Sequence, residues 1–271
     1  MDKKGISLKG LSKHIFPLST KIILLPGLLF LLFYGIAGAG PIEDCQEHAK
    51  YGVPSSDPVL LCREVYLLSH SSEYKVPVWV AYHLTSEYLS GTAKRSSEKF
   101  RPDSDLPKGE RAELKDYAKS GYDKGHMMPA ADAKRSKKAM SETFLLSNIA
   151  PQVGVGFNRG IWEELERKVD KWAQERSELY VYVGPVFVSK KIKTIGPDHV
   201  AVPTLFFKVV YDPNKQEVIA FVFPNLKLER GTIPYYITSV DYIESLTGLD
   251  FLAPLDDEIE NKIEAARSEM W

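Results

Sequence analysis

Residues 123–132 read DKGHMMPAAD, and further along the chain residues 157–166 read FNRGIWEELE. The first run sets the imidazole of His126 beside Lys124 and the flexible Gly125. A neutral imidazole takes a proton from water near pH 7, and a neighbouring cation offsets the extra charge of a pentacovalent phosphorane. The surrounding stretch, Tyr122 to Asp132, lacks a helical or a clean strand pattern and contains Gly125 and Pro129. It therefore reads as loop-like backbone, where functional groups concentrate. Taken alone, the segment also fits a structural histidine.

The second run heads a helix. From Arg159 to Arg176, apolar residues recur at Ile161, Trp162, Leu165, Val169 and Trp172, the spacing of a one-faced amphipathic helix. On an ideal helix Asn158 projects in line with that stripe, and Glu166 lies about 80° to one side. An asparagine there is either an N-cap or a ligand. Its amide oxygen is a hard neutral donor suited to Mg2+, which keeps most of its waters and needs few protein ligands. Eight residues of ideal helix span about 12 Å, so Glu166 is expected to act on the water around the ion and not on the ion itself. Glu163 and Glu164 read as solvated helix carboxylates.

Outward from these runs, Cys62 to Thr85 reads as two strands, REVYLL and VPVWVAYHL, joined by the polar turn HSSEYK. Residues 90–107 form an exposed loop, and Glu110 to Lys119 a short helix. Strand-like runs follow at Leu179–Val188, Val200–Tyr211 and Glu217–Phe223, the last two joined at Asp212, Pro213 and Asn214. Helices are expected near Ile237–Leu246 and Asp256–Ala266. Strands with helices between and after them imply an α+β fold and not a βαβ repeat.

Residues 1–40 read as a targeting segment, leaving 41–271 for one folded domain. The apolar run 22–37, IILLPGLLFLLFYGIA, follows a basic leader and precedes small residues, with Ala37 and Ala39 forming a cleavage pattern. It reads as a secretory signal or as an uncleaved anchor in contact with a membrane. The folded part is thus expected to be secreted or periplasmic, or membrane-anchored. Cys45 and Cys62 lie just beyond, and an oxidising compartment favours their pairing over two free buried thiols. The net charge of −1 becomes about −5 once the five lysines and one aspartate of the leader are set aside. Any phosphate-binding surface must then be local, and the best candidate runs from Lys115 to Lys138. The same run is also compatible with a solvated face.

Several co-linear motifs carry a family resemblance. DKGHMMPAAD resembles the Asp-Arg-Gly-His signature of the sugar-non-specific DNA/RNA endonucleases, a group that includes secreted bacterial nucleases and mitochondrial endonuclease G. LSNIAPQ at 146–152, NRGIWEELE, VAYHLT near residue 80, VGPVF at 183–187, VPTLFFKVV at 202–210 and SVDYIESLTGL at 239–249 resemble that family in order and spacing. The likeness covers essentially everything after residue 60.

The resemblance implies a ββα-metal (His-Me finger) fold, with a central, mostly antiparallel sheet flanked by helices. It implies that His126 activates water and that Asn158 is the direct protein ligand of a divalent cation, Mg2+ with Mn2+ as the alternative. Glu166 matches the family's water-holding carboxylate, Arg95 its phosphate-contacting arginine, and Asn148 an asparagine that orders the site. Lys124 departs from the family's usual arginine, keeping the charge but losing the planar fork that grips phosphate. The implied reaction is in-line hydrolysis of DNA and RNA to 5′-phosphate ends, with little sequence preference because the contacts are to phosphate and sugar. The sequence does not fix the oligomeric state, and a homodimer is one option. Two rivals stand beside it: a phosphodiesterase of the same fold, and a nucleic-acid-binding module with a crippled site. His83 reads as a core histidine, and His70 and His199 have no evident partner.

Overall fold

In a computed structural model, which describes residues 45–55 and 59–271, the β-rich stretches join into one seven-stranded sheet. Its members are β1 (Leu60–Arg63), β2 (Tyr66–Ser71), β3 (Val76–Thr85), β6 (Glu178–Val186), β9 (Leu205–Asp212), β10 (Glu217–Pro224) and β11 (Ile237–Thr238). The pairs β4 (Asp123–His126) with β5 (Ile149–Gln152), and β7 (Thr194–Ile195) with β8 (Val200–Ala201), form two small ribbons. The large sheet runs in the order β1-β2-β3-β6-β9-β10-β11, and every pairing is antiparallel. The expected leader, cleavage site and apolar run 22–37 lie outside the described residues. Among those described, no helix is long and apolar enough to cross a membrane.

Period-two alternation divides each strand between two cores. Val80, Tyr82, Val181, Val183, Phe206, Val210, Ile219 and Phe221 face one side, together with Leu165, Val169 and Trp172 of the long helix. Trp79, Ala81, Tyr182, Phe207, Val209 and Ala220 face the other, together with Val240, Ile243 and Ile263. With both faces covered, the central strands read as continuous apolar runs.

The helices are α1 (Ser86–Leu89), α2 (Leu114–Tyr117), α3 (Lys137–Glu142), α4 (Glu163–Arg176), α5 (Val240–Thr247) and α6 (Asp257–Glu264). Ser239 caps α5 by accepting the Tyr242 N–H, and Gly248 ends it in the left-handed conformation. Cys45 and Cys62 are disulfide-bonded, with their Cα atoms 5.8 Å apart. The bridge fastens the segment that precedes the sheet to its edge strand, and closing a loop of this size stabilises by about 3 kcal/mol in the chain-entropy picture.

Several local expectations change, among them the helix expected from Glu110 to Lys119, which shortens to Leu114–Tyr117, and the start of the helix expected near Ile237, where Ile237–Thr238 pairs with the sheet as β11. The region from Cys62 to Thr85 holds the end of β1 and all of β2 and β3, because β1 pairs with β2 across a tight turn at Glu64 and Val65. The run Val200–Tyr211 splits into β8 and β9 around Pro203, which has no N–H for a sheet ladder. Tyr122–Asp132 contains the short strand β4, whose partner β5 lies far along the chain and so leaves no local signal. The long helix begins at Glu163, later than expected. Before it, residues 154–162 form a wide irregular turn with non-helical backbone at Val155, Gly156, Arg159 and Gly160. Gly156 has φ +90°, and a Cβ there would meet Lys227.

Candidate active site

The ribbon β4–β5 and helix α4 make a ββα unit laid on one face of the large sheet. Gly125 permits the ribbon's close packing, because a Cβ on it would sit 2.1 Å from the Gln152 side chain. Downstream of β4, the chain is pinned by Asn148. That side chain is fully buried, accepts the Met128 N–H at 2.9 Å through Oδ1, and donates from Nδ2 to the carbonyls of Met128 and Thr143. The backbone adds Met127 N–H to Asn148 C=O at 2.9 Å. His126 is thereby held at the end of a short strand. Its ring packs between Phe100 and Phe144, with centroids 5.2 and 5.1 Å away.

His126, Lys124, Arg95, Asn158 and Glu166 line one cleft of about 450 Å³. Asn148 stands behind it and does not line it. Because Asn158 lies in the irregular turn and not on regular helix, the helical projection expected for it does not apply. Its orientation comes from Asp123 instead. Asp123 Oδ2 accepts from Asn158 Nδ2 at 2.9 Å and from Arg159 Nε at 2.8 Å. With the amide nitrogen tied to a carboxylate, Asn158 Oδ1 is left as the free donor atom toward a cation, and a hard neutral oxygen in a cleft that also carries Glu166 fits a hydrated Mg2+-like ion. Lys124 Nζ lies 5.3 Å from the centroid of Phe100 and 5.6 Å from that of Tyr117, which keeps its charge at the cleft wall. The Arg95 guanidinium stands 5.7 Å from the Phe144 ring.

Burial, aided by the Arg95 charge, pushes the His126 imidazole down to about 3, so the ring is neutral across the working pH range. Its Nε2 is buried without a hydrogen-bond partner. Burial pushes Glu166 up to about 7; Lys208 pulls it back, and Asp170 pushes it further up.

Three residues with no role assigned from sequence complete the wall beneath the cleft. Lys208 of β9 points to the helix side of the sheet, fully buried, its Nζ 4.9 Å from the Trp162 ring centroid and without a hydrogen-bond partner. The charges facing it are Glu166, Asp132 and Asp170. Burial and the neighbouring Asp170 push the Asp132 carboxyl well above the usual range, and in its protonated form Asp132 donates a hydrogen bond to Asp170. This bond links the end of the His126 segment to α4. The inward parity of Lys208 with Phe206 and Val210, and the one-turn spacing of Asp170 from Glu166, were the signals available in the sequence.

Other expectations resolve simply. Lys115 pairs with Asp198 at 2.9 Å and Lys138 with Glu142 at 3.8 Å, so only part of the basic run faces the cleft. His83 is partly buried, stacked on Tyr180, with Nε2 2.8 Å from Glu178 Oε2. His70 does have a partner: its Nε2 lies 2.9 Å from the Glu110 carbonyl.

Comparison with known proteins fits this architecture. The family model for DNA/RNA non-specific endonucleases matches residues 45–258. The chain belongs to that family. The nuclease is 39% identical over 228 residues to "Nuclease" of Syncephalastrum racemosum, covering 76% of this chain and 71% of the relative. It is 37% identical to the "Mitochondrial nuclease" of Saccharomyces cerevisiae (75% and 68% covered) and 35% identical to "Endonuclease G, mitochondrial" of Homo sapiens (76% and 73%). A solved structure of the EndoG/EndoGI complex superposes with a TM-score of 0.75 at 33% identity, over 81% of this chain and 95% of that one. The fold is therefore the ββα-metal nuclease fold in an α+β setting, and the protein is an enzyme that hydrolyses nucleic acids in a metal-dependent family.

Proposed function

We propose that the nuclease cleaves DNA and RNA with His126 as general base and Asn158 as the protein ligand of Mg2+, leaving 5′-phosphate ends. What supports this reading is a single arrangement: the imidazole and the carboxamide, 32 positions apart in the chain, line the same cleft. His126 is neutral, as a base must be, and takes the proton of the attacking water. Asp123 orients the Asn158 amide so that its oxygen faces the cation. Glu166 accepts hydrogen bonds from water beside Asn158, and needs its negative charge to do so. Arg95 and Lys124 hold the phosphate, and Asn148 keeps the His126 segment in place. The divalent cation, when bound, supplies Lewis-acid stabilisation of the charge that develops on the phosphate and the leaving oxygen. Contacts to phosphate make binding fall steeply with added salt.

The assay is a supercoiled plasmid, and separately a structured RNA, incubated with Mg2+ with and without EDTA. Nicking that EDTA abolishes is expected for both substrates. Retention of DNA without nicking, unaffected by chelator, would convert the reading to a binding module.

The place of action follows from a different observation. The Cys45–Cys62 disulfide and the basic–apolar leader support export into an oxidising compartment, with residues 1–40 removed or kept as an anchor. Several relatives are named as mitochondrial, so fractionation must include that organelle. Mass spectrometry of the mature protein under non-reducing conditions is expected to show a chain lacking the leader and two mass units lighter than the dithiol. A full-length chain in a membrane pellet would favour the anchor, and free thiols would overturn the oxidising compartment.

A further inference from the structure

On the face of the sheet opposite the cleft, α5 and α6 pack on β10 and bring three carboxylates together. Asp241 and Glu244 stand one turn apart on α5, and Glu264 is the last residue of α6. One oxygen from each lies within 4.8 Å of the others. Asp250 and Glu260 add further negative charge around Glu264. Among the charges that act most strongly on Glu244, Glu260 and Glu264, none is a cation.

Exposed acidic groups cluster on many surfaces without consequence. Glu264 is different because it is only 6% exposed, and its buried Oε1 has no hydrogen-bond partner. A buried polar atom left unpaired is costly, and such atoms in folded proteins are regularly met by water, a proton or an ion. Glu244 meets part of its own need by accepting the Phe251 N–H at 2.8 Å through Oε1, which leaves its second oxygen available. Asp241 is exposed, so the group of carboxylates borders solvent on that side.

We propose that Asp241, Glu244 and Glu264 form a second cation site, of calcium type, on the sheet face away from the catalytic cleft. The donors are all hard anionic oxygens, the set that calcium prefers. Oxygens up to 4.8 Å apart fit around one ion with bonds of about 2.4 Å, whereas Mg2+ demands bonds of about 2.1 Å in strict octahedral geometry. Without an ion, burial and the surrounding carboxylates push Glu264 up to about 8, so calcium binding displaces a proton. A bound ion would fasten α6 to α5, joining the last helix of the chain to the body of the molecule. The site shares no residue with the cleft and does not depend on the catalytic reading.

Equilibrium dialysis against about 1 mM calcium, with thermal unfolding in parallel, tests this on the full chain carrying Asn158→Ala. That protein is compared with the same chain carrying Glu264→Gln in addition. The first is expected to hold one more calcium ion than the second, and calcium is expected to raise its Tm by about 3 °C with no rise in the second. The difference between the proteins is the readout, so it stands whether or not Asn158 holds an ion in the cleft. Asp241→Asn, at an exposed position that folding tolerates, is expected to weaken calcium binding at least about tenfold. Equal calcium content and equal Tm response with and without Glu264→Gln would overturn the site, as would calcium affinity unchanged by Asp241→Asn.

Discussion

Two groups of carboxylates lie on opposite faces of one antiparallel sheet, and they differ in a single ingredient. Beneath the cleft, Glu166, Asp132 and Asp170 surround the buried Lys208. On the far face, Asp241, Glu244 and Glu264 converge with no cation among their strongest neighbours. Burial pushes both carboxyls up; Lys208 pulls Glu166 back, whereas the neighbours that act on Glu264 are carboxylates that push it further up. Both clusters are desolvated. What differs between the two groups is a buried amino group, which faces the carboxylates beneath the cleft and has no counterpart among the strongest neighbours of Glu264.

Among changes to the two carboxylate groups and their neighbours, the largest effect is expected from Glu166→Gln, which keeps the shape but removes the charge. Single-turnover cleavage should slow by about 10²–10³-fold with the circular dichroism spectrum unchanged. Near-normal cleavage would show that the cleft carboxylate is dispensable. Lys208→Met comes next. Removing the cation raises the Glu166 pKa further, so more of it is protonated at a given pH. The rate at pH 7 should fall about tenfold and recover toward pH 9, with KM nearly unchanged. A loss equal at every pH would mean that Lys208 serves packing alone. Asp123→Ala frees the Asn158 amide, and the Mg2+ concentration needed for half-maximal cleavage should rise about tenfold.

The smallest effect sharpens the other half of the comparison. Glu264 has a folded-state pKa raised above its usual value of 4.5. Its contribution to stability is therefore fully present below about pH 4.5 and is lost as pH rises through about 8. In calcium-free buffer Glu264→Gln should leave Tm unchanged near pH 4 and raise it by about 2–4 °C at pH 9. A variant that lost stability equally at both pH values would show that the carboxyl is a packing element.

Much of this was legible in the amino-acid sequence because its signals are local. The stripe Leu165, Val169, Trp172 announces α4, and the strands β6, β9 and β10 are continuous apolar runs ended by polar turns. His126, Asn158, Glu166, Arg95 and Lys124 each stand out in the sequence, and they meet in one cleft. The strand β4 escaped because only pairing with distant β5 makes it a strand. An ideal helix projects Asn158 along the apolar stripe, but Gly156 and Gly160 permit backbone that no helix contains. Lys208 was hidden for the opposite reason: a charge inside VPTLFFKVV looks like an interruption, and only the carboxylates of other elements explain its burial. The Asp132–Asp170 bond likewise needs the fold, since it joins two segments 38 positions apart.

The division of labour between one imidazole and one carboxamide is tested most directly by measuring cleavage and divalent-ion affinity on the same two variants. His126→Ala should cleave at least about 10³-fold more slowly while binding Mn2+ as tightly as the parent, whereas Asn158→Ala should lose both. Cleavage at the parent rate by His126→Ala, or unaltered ion affinity in Asn158→Ala, would contradict the account.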